Sequence, residues 1–285
     1  MLDLSVIVPV RNAEHLIDGC LASIMRSQPT EIIVVDGRST DRTLEIARRY
    51  PVRILSDNGQ GISIARSMGL HAARYRWVAL IDADVILPDG ALGELLQEFN
   101  GGRYVALQSA LRSVSGPKYW GRALVQHHHS GRLKNWCGLG ATIFERDTLL
   151  AHDFDGRFLS GEDLDLRWRL RRGGGRLGVS CRTVARHRFD DTFAFARDQW
   201  LVDGYGLGRM VSKYGWRARW FIALPVAAGL RGIALSLLRL QFMWLPYYVC
   251  YLVYNYIGIV HQLTERQTHT PTCTEPVGAA RDECA

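Results

Sequence analysis

Apolar runs of strand length alternate with amphipathic segments through the first hundred residues. The runs are rich in Val, Ile and Leu, which is typical of buried strands, and they predict strands at residues 4–10, 31–35, 52–55 and 77–81. Between them, helical periodicity or a polar cap predicts helices from residue 14, after Asp41 and near residues 62–73. Strands that alternate with helices favour βαβ units and a parallel sheet, with ligands at the carboxyl ends of the strands.

The pattern is less regular over residues 101–160. This stretch contains a Gly-Gly pair and three consecutive histidines at 127–129, which we expect in a solvated loop of a mixed acceptor-binding region. A compact helix is predicted next, at residues 163–172, because three glycines follow it directly. A short strand is then predicted to run on to His187.

A third pattern begins at residue 220. The 44 residues from 220 to 263 carry two charges, Arg231 and Arg239, and include two apolar runs of nineteen residues, 220–238 and 242–260. A helix of that length spans about 28 Å, close to the thickness of the hydrocarbon core of a bilayer. Three arrangements remain open: a membrane-spanning hairpin, two helices lying in the membrane interface, and a helical pair packed on the rest of the chain or in a dimer interface. The mid-segment Arg231 weighs against spanning.

Charge is distributed unevenly along the chain. The net charge is +7, yet residues 1–100 are slightly acidic, whereas residues 101–219 carry 21 basic and 11 acidic residues. Such a basic surface can meet nucleic acid, an anionic acceptor or an acidic membrane. Because no helix-turn-helix, zinc-finger or RNP pattern accompanies it, we expect no nucleic acid partner. The six cysteines form no CxxC pair and no secretory signal is recognised, which favours a reducing, cytosolic location.

Acidic residues follow two of the predicted strands. Asp82 and Asp84 come directly after the strand at 77–81, where they can hold a divalent cation that neutralises a diphosphate leaving group. The same Asp-x-Asp spacing recurs at 153/155 and 163/165, so the spacing alone is a weak signal, and a polar turn is the alternative. Asp36 ends the second strand, where its carboxylate either accepts from a base or ribose group, or only closes the turn before the next helix.

A further acidic pair, Glu162 and Asp163, opens the helix predicted at 163–172. The positive end of a helix dipole favours an ionised carboxylate, which can take a proton from an acceptor hydroxyl. The alternative is an acidic helix cap. Taken alone, Arg66 is a solvated charge within reach of a phosphate, and His187 is an ordinary core or surface histidine.

In this order, the motifs resemble those of the family 2 glycosyltransferases. The resemblance covers roughly residues 3–215 and is carried by five motifs, at residues 5–12, 31–41, 65–70, 82–84 and 158–166. It implies an α/β fold of the GT-A type, which is a Rossmann-like mixed sheet flanked by helices. In this chain a hydrophobic helical pair is expected to follow that fold.

The resemblance also implies roles for individual residues. The nucleotide-sugar site is expected to comprise Pro9, Val10, Asn12, Asp36, Arg66, Asp82 and Ala83. The metal, Mn²⁺ or Mg²⁺, is expected on Asp84, Asp82 and His187. Asp163, with Glu162 beside it, matches the base of a single inverting displacement. Two departures are present: Ser67 stands where the motif usually has Asn, and the Gln-x-x-Arg-Trp sequence of processive synthases is missing, which favours transfer of one sugar per encounter.

The combined prediction is a hexosyltransferase that uses a UDP-, GDP- or dTDP-sugar and a glycan or lipid-linked acceptor. It is expected to act at the cytoplasmic face of a membrane, and a homodimer through the hydrophobic segment is a further possible arrangement. Its segments are a donor-binding half at 1–100, an acceptor and catalytic half at 101–215, hydrophobic helices at 216–263 and a polar flexible tail at 264–285. The competing interpretation is an inactive, membrane-bound scaffold or sensor that binds sugar nucleotides. A nucleotidyltransferase would need a glycine-rich loop after the first strand, and residues 10–14 do not provide one.

Overall fold

Eight strands form one mixed sheet flanked by helices in a computed structural model, which describes residues 2–130 and 137–264. The strands are β1 (Leu2–Val10), β2 (Pro29–Asp36), β3 (Arg53–Ser56), β4 (Trp77–Ile81), β5 (Val85–Ile86), β6 (Ala106–Ser115), β7 (Ala141–Glu145) and β8 (Leu177–Phe189). The helices are α1 (Ile17–Met25), α2 (Thr43–Ala47), α3 (Ile62–Ala72), α4 (Ala91–Gly102), α5 (Tyr119–Ser130), α6 (Arg146–His152), α7 (Glu162–Arg172), α8 (Phe193–Tyr214), α9 (Leu224–Leu238) and α10 (Leu245–Thr264). Two 3-10 helices flank α9, at Gly215–Ala223 and Phe242–Trp244.

The strand order places a parallel half beside a mixed half. The order is β3-β2-β1-β4-β7-β6-β8-β5, and the first four strands are parallel. β7 runs antiparallel between β4 and β6. The parallel strands therefore end on one edge, at Val10, Asp36 and Ile81, as the alternating pattern predicts. The four predicted strands agree with β1 to β4 to within two residues at each end, and the α/β fold is confirmed.

Of the parallel strands, β1, β2 and β4 are buried on both faces. Val6 belongs to a hydrophobic cluster with Ile17 of α1 and Leu95 of α4, whereas its neighbour Ile7 belongs to a second cluster with Leu70 of α3. Successive side chains of a strand point to opposite faces, so β1 contributes to both clusters. This double covering explains why the strands read as continuous apolar runs.

Residues 101–160 are more regular than expected. They contain β6, α5, β7 and α6, and the histidines at 127–129 lie in the last turn of α5. His127 packs against the rings of three tyrosines of α10, at centroid distances between 5.0 and 5.7 Å. The loop prediction is therefore wrong, because these polar side chains find an aromatic face that only the tertiary fold supplies. β8, predicted as short, is 13 residues long.

The hydrophobic segment folds into α9 and α10, which pack on the rest of the chain. α10 approaches α8 through glycines: a Cβ on Gly204 would meet the carbonyl oxygen of Asn255, and a Cβ on Gly258 would meet that of Leu201. Larger residues at either position would push the helices apart. The other face of α10 is exposed and apolar, at Val249, Val253, Ile257 and Val260.

One helical stretch among the described residues, Phe193–Leu238, is long and apolar enough to cross a membrane by length and composition. Its most apolar part has a mean hydropathy of 1.9, and 28% of that part is buried. The stretch is longer than the run predicted at 220–238 because α8, a 3-10 helix and α9 follow one another without a break. The predicted tail lies outside the described residues except for Thr264, which ends α10.

Candidate functional site

A cavity of about 500 Å³ opens next to the carboxyl end of β4. Its wall includes side chains that the sequence singled out, namely Arg66, Asp82, Glu162, Asp163 and His187. They belong to α3, the turn after β4, α7 and β8. Segments far apart in sequence therefore converge on one site.

Arg66 joins two carboxylates across this cavity. Only 3% of its side chain is exposed. Its Nη2 donates to Asp82 Oδ1 at 2.6 Å, and its Nη1 donates to Glu162 Oε1. Burial raises the pKa of Glu162, against the opposing effect of the Arg66 guanidinium. Because Asp82, after β4, and Glu162, in α7, share one buried cation, their relative positions are fixed by the fold itself.

The start of α7 is set by a contact between two glycines. Gly161 precedes the helix with φ of 76°, a conformation that a side chain disfavours. A Cβ there would also lie 2.7 Å from Gly206 Cα on α8. Asp163 follows in the first helical turn, and its Oδ1 accepts from the Leu164 N–H at 2.7 Å. The close approach of α7 to α8 thus holds the Asp163 carboxylate on the cavity, at the positive end of the helix dipole.

Asp84 and His187 form a second polar pair near the same edge. His187 Nε2 lies 3.1 Å from Asp84 Oδ2, because β5 pairs with β8 and sets His187 opposite Val85. Burial opposes the imidazolium form of His187, but the hydrogen bond to Asp84 outweighs it and raises the pKa of His187. Asp84 Oδ1 is buried without a hydrogen-bond partner among the described residues.

A carboxylate oxygen of this kind suits a hard divalent cation. Carboxylate oxygens with an imidazole nitrogen are ligands for Mn²⁺, and oxygens for Mg²⁺, so Asp84, His187 and the neighbouring Asp82 fit such an ion chemically. Within residues 2–130 and 137–264, no three His, Cys, Asp or Glu side chains already form a converged ligand group.

The ends of β1 and β2 form a hydrogen-bonded edge beside the cavity. Val10 stands opposite Asp36 in the strand register. Asp36 is 4% exposed, and its Oδ1 accepts from the Ser39 N–H at 3.2 Å. Asn12 has φ of 49°, and its Oδ1 accepts from the Thr40 N–H at 2.8 Å. Of the two alternatives for Asp36, the structure therefore shows the turn-closing role.

Some predicted site residues do not line the cavity. Val10, Asn12 and Asp36 stay on the strand-end edge, Pro9 lies within β1 opposite Val35, and Ala83 packs against the core beneath β4. Asp84 contacts the cavity wall through His187. The residues expected to bind the nucleoside and the cavity residues are thus neighbours along one sheet edge.

The second aspartate of each of the two other Asp-x-Asp matches, Asp155 and Asp165, contributes to structure. Lys213 Nζ lies 2.9 Å from Asp155 Oδ2 and 2.6 Å from Asp165 Oδ1. Asp165 also accepts from Arg169, one turn along α7. These ion pairs hold α7 against α8, which accounts for the carboxylates without a ligand.

Sequence reasoning missed Asp203, which lines the cavity from α8. Enclosure by the surrounding protein, with a smaller contribution from the charge of Asp163, raises the pKa of Asp203 to about 7, although the carboxyl group opens onto the solvent in the cavity. The signal in the sequence was faint: an acid one helical turn before Gly206. His128 was also missed; its ring lies 6.4 Å from that of His187, and burial lowers its pKa to about 3.

Comparison with known proteins was decisive for the family. The family model described as "Glycosyl transferase family 2" matches residues 5–152. The chain belongs to this family. The match runs from β1 to the end of α6, so it includes the edge formed by β1 and β2 and the turn after β4, and it stops before α7.

Curated relatives of this family member match over short stretches. The uncharacterized glycosyltransferase YibD of Escherichia coli (strain K12) is 39% identical over 88 residues, which is 28% of this chain and 26% of that protein. The uncharacterized glycosyltransferase EpsJ of Bacillus subtilis (strain 168) is 33% identical over 101 residues, 33% of this chain and 29% of that protein. The aligned part is thus about a quarter to a third of these relatives.

Solved structures extend the likeness to nearly the whole chain. The mannosyltransferase PcManGT from Pyrobaculum calidifontis, in complex with GDP-Man and Mn²⁺, has a TM-score of 0.64 at 18% identity, covering 90% of this chain and 87% of that one. The S. aureus TarS fragment 1–349 with UDP-GlcNAc has a TM-score of 0.56 at 16% identity, covering 92% and 89%. The fold of this family 2 member is therefore GT-A, as the resemblance implied.

Proposed function

We propose that this chain is an inverting glycosyltransferase that moves one sugar from a nucleoside diphosphate sugar to an acceptor hydroxyl. The observation that carries the proposal is that Asp82 and Asp163 line one cavity and are linked through Arg66 and Glu162. A single displacement needs charge stabilisation at the leaving group and a base at the attacking group. The two halves of the chain supply one each: a donor half at residues 1–100 and an acceptor and catalytic half at 101–215.

On the donor side, the strand-end edge of Pro9, Val10, Asn12 and Asp36 would receive the nucleoside. Asp84, Asp82 and His187 would hold Mn²⁺ or Mg²⁺, and the bound ion would neutralise the charge that develops on the diphosphate. Ala83 spaces the two aspartates, and Arg66 orients Asp82 beside the diphosphate. The nucleotide sugars and Mn²⁺ named for PcManGT and TarS support a donor of this class.

On the acceptor side, Asp163 acts as the base. Its carboxylate takes the proton of the acceptor hydroxyl while the acceptor oxygen forms a bond to the anomeric carbon. The bond from that carbon to the diphosphate oxygen breaks, and its electron pair leaves with the nucleoside diphosphate. Because one displacement occurs, the configuration at the anomeric carbon inverts. Glu162 supports the base indirectly, through its ion pair with Arg66.

An Asp163→Asn variant tests this assignment. We expect turnover of the accepted nucleotide sugar to fall by about a hundredfold or more, since a positioned base contributes roughly 10²–10⁴, while nucleotide binding with Mn²⁺ changes little in a thermal-shift assay. The control is Asp147→Asn, an acid that is 90% exposed on α6. Undiminished turnover in Asp163→Asn would rule out the base, and nucleotide binding without turnover by the wild-type chain would favour the sensor interpretation.

The C-terminal helices α9 and α10 indicate where in the cell the proposed enzyme acts. One face packs on α8, and the other exposes Leu230 (58%), Val249 (56%) and Val253 (50%). The basic residues Arg239, Arg217 and Arg219 lie near its ends. An apolar face with a basic margin is typical of helices that lie in a membrane interface. Of the three arrangements left open by the sequence, we favour this one, with the catalytic domain on the cytoplasmic side.

Vesicle flotation tests the membrane face. Leu230→Glu/Val253→Glu should abolish co-flotation with vesicles of phosphatidylglycerol and phosphatidylcholine, because two charges would enter the acyl boundary. Val184→Glu is the matched control, since Val184 is an equally exposed apolar residue on β8. A wild-type chain that stays at the bottom of the gradient as a dimer would instead support the dimer interface.

A further inference from the structure

A second groove, of about 440 Å³, adjoins the catalytic cavity. It is formed by the end of β6, by α5 and by Trp244. Ser113 and His129 belong to the walls of both the groove and the cavity. A ligand lying in the groove can therefore reach the cavity without leaving the protein surface.

The groove has unneutralised positive charge. Arg112 of β6 and Arg122 of α5 line it, and both are exposed. Arg186 of β8 stands opposite Arg112 in the strand register, and Arg188 stands opposite Val114. None of these four arginines forms an ion pair with a residue in the described ranges. Like charges held this close raise the local potential and attract an anion.

The outer end of the groove is apolar. Trp244 closes it and belongs to the turn between α9 and α10, where Leu240, Phe242 and Met243 are between 50% and 75% exposed. The guanidinium of Arg122 lies 5.9 Å from the Trp244 ring. Tyr119 ties this turn to α5, because its hydroxyl donates to the Met243 carbonyl at 2.8 Å. An exposed apolar tip, a pair of arginines and the cavity thus follow one another in a fixed arrangement.

We propose that this groove binds the phosphate or diphosphate of a lipid-anchored acceptor, with the lipid at the Leu240–Met243 tip and the acceptor sugar in the cavity. The inference rests on the proposed function and names its acceptor class. Arginine recognises phosphate oxygens through paired, charge-assisted hydrogen bonds. A free phosphate would use the arginines alone, whereas the continuous apolar tip gives an amphiphile a second anchor.

Equilibrium binding of farnesyl diphosphate, a soluble lipid diphosphate, tests the groove. We expect Arg112→Gln/Arg122→Gln to bind it at least about tenfold more weakly than the wild type does, since two charge-assisted contacts are lost, and Arg112→Lys/Arg122→Lys to recover part of the affinity. The matched control is Arg182→Gln, an exposed arginine of β8 outside the groove, which should bind as the wild type does. Equal binding by the Gln pair and the wild type overturns the proposal.

Two further binding measurements distinguish the contribution of the lipid chain from that of the phosphate groups. Inorganic pyrophosphate and farnesol should each bind at least about tenfold more weakly than farnesyl diphosphate, since each uses one anchor. Pyrophosphate binding as tight as that of farnesyl diphosphate would overturn the lipid part of the inference.

An Asp84→Asn variant separates this inference from the proposed function. It should lose metal-dependent nucleotide binding and retain farnesyl diphosphate binding, because Asp84 does not line the groove. If the variant also loses farnesyl diphosphate, the probe occupies the donor site and the groove assignment is overturned. Failure of the proposed function gives a different result, namely no turnover of any nucleotide sugar and no effect of Asp163→Asn.

Discussion

The proposed donor half, residues 1–100, and the proposed acceptor half, residues 101–215, are assembled by different means. In the donor half, parallel strand register places Val10 beside Asp36, and short loops are closed by side chains such as Asn12 and Ser39. In the acceptor half, helices distant in sequence meet through close contacts, as Gly161 does with Gly206. The strands themselves are marked by continuous apolar runs within short stretches of sequence, whereas helix contacts depend on packing across the whole fold. The donor side should therefore tolerate changes in helix packing that disable the acceptor side.

One side chain crosses between the two halves. Arg66, from α3, holds Asp82 at the end of β4 and Glu162 at the start of α7. A buried cation between two carboxylates is costly to remove, because each anion is left without its partner. Arg66 is thus the point at which a single substitution should break both sites together.

The largest expected effect is that of Arg66→Gln. We expect a loss of about 3 kcal/mol in the free energy of unfolding, because the variant leaves the buried Glu162 and the partly exposed Asp82 without a counter-charge. Urea denaturation at pH 7 measures this loss. Arg74→Gln, at an exposed arginine 3.7 Å from Glu31, should cost less than about 1 kcal/mol. Similar losses in the two variants would show that Arg66 is not the link.

A smaller effect, confined to the acceptor side, is expected of Gly161→Ala. The alanine would have to adopt a left-handed backbone conformation, at a cost of about 1–2 kcal/mol. Its Cβ would also clash with Gly206 of α8. Turnover should fall because Asp163 is displaced, while nucleotide binding is retained. Gly174→Ala is a matched control, since Gly174 has φ of 78° with no atom within 4 Å of the added Cβ. The Gly174→Ala variant therefore has the backbone strain without the clash. A full loss of turnover in Gly174→Ala would contradict a role for the contact between Gly161 and Gly206.

The same contrast explains how far the sequence could be interpreted. The predicted bounds of β1 to β4 and α3 agree with the structure to within two residues, because continuous apolar runs mark the strands and local patterning marks the helix within short stretches of sequence. Asp82, Asp163 and His187, to which the resemblance assigns roles, line one cavity, and those roles stay predictions. Their roles were inferred from the order of motifs; residue types alone favoured a polar turn for Asp82 and a helix cap for Asp163.

The remaining features had no local signal. The histidines at 127–129 count as polar in any hydropathy pattern, yet His127 packs on tyrosines that come more than a hundred residues later. Asp203 lines the cavity because α8 packs against α7. Arg112 lies next to Arg186 because β6 pairs in parallel with β8. Each of these depends on a long-range contact that a single sequence does not specify.

The smallest expected effect is a pH dependence of stability that comes from Asp203. This carboxyl group lies on α8, where α7 packs against it, so its titration tests the helix contact of the proposed acceptor half. Its pKa is raised to about 7, so between about pH 4 and pH 7 the folded chain keeps a proton that the unfolded chain has lost. Stability from this group is therefore present at low pH and is lost as the pH rises through 7. The size of this stability difference depends on the solvent in the cavity and on the neighbouring acid Asp163. Screening by that solvent keeps the difference small.

Thermal unfolding at pH 5 and pH 8 measures this difference. Asp203→Asn should lose less stability than the wild type between the two values, because it has no proton to release. Asp198→Asn, at an exposed acid that pairs with Arg197 on the same helix, is the control and should follow the wild type. If Asp203→Asn and the wild type change in parallel, the carboxyl group is fully solvated in the cavity, and the contact of α7 with α8 is looser than the glycine packing indicates.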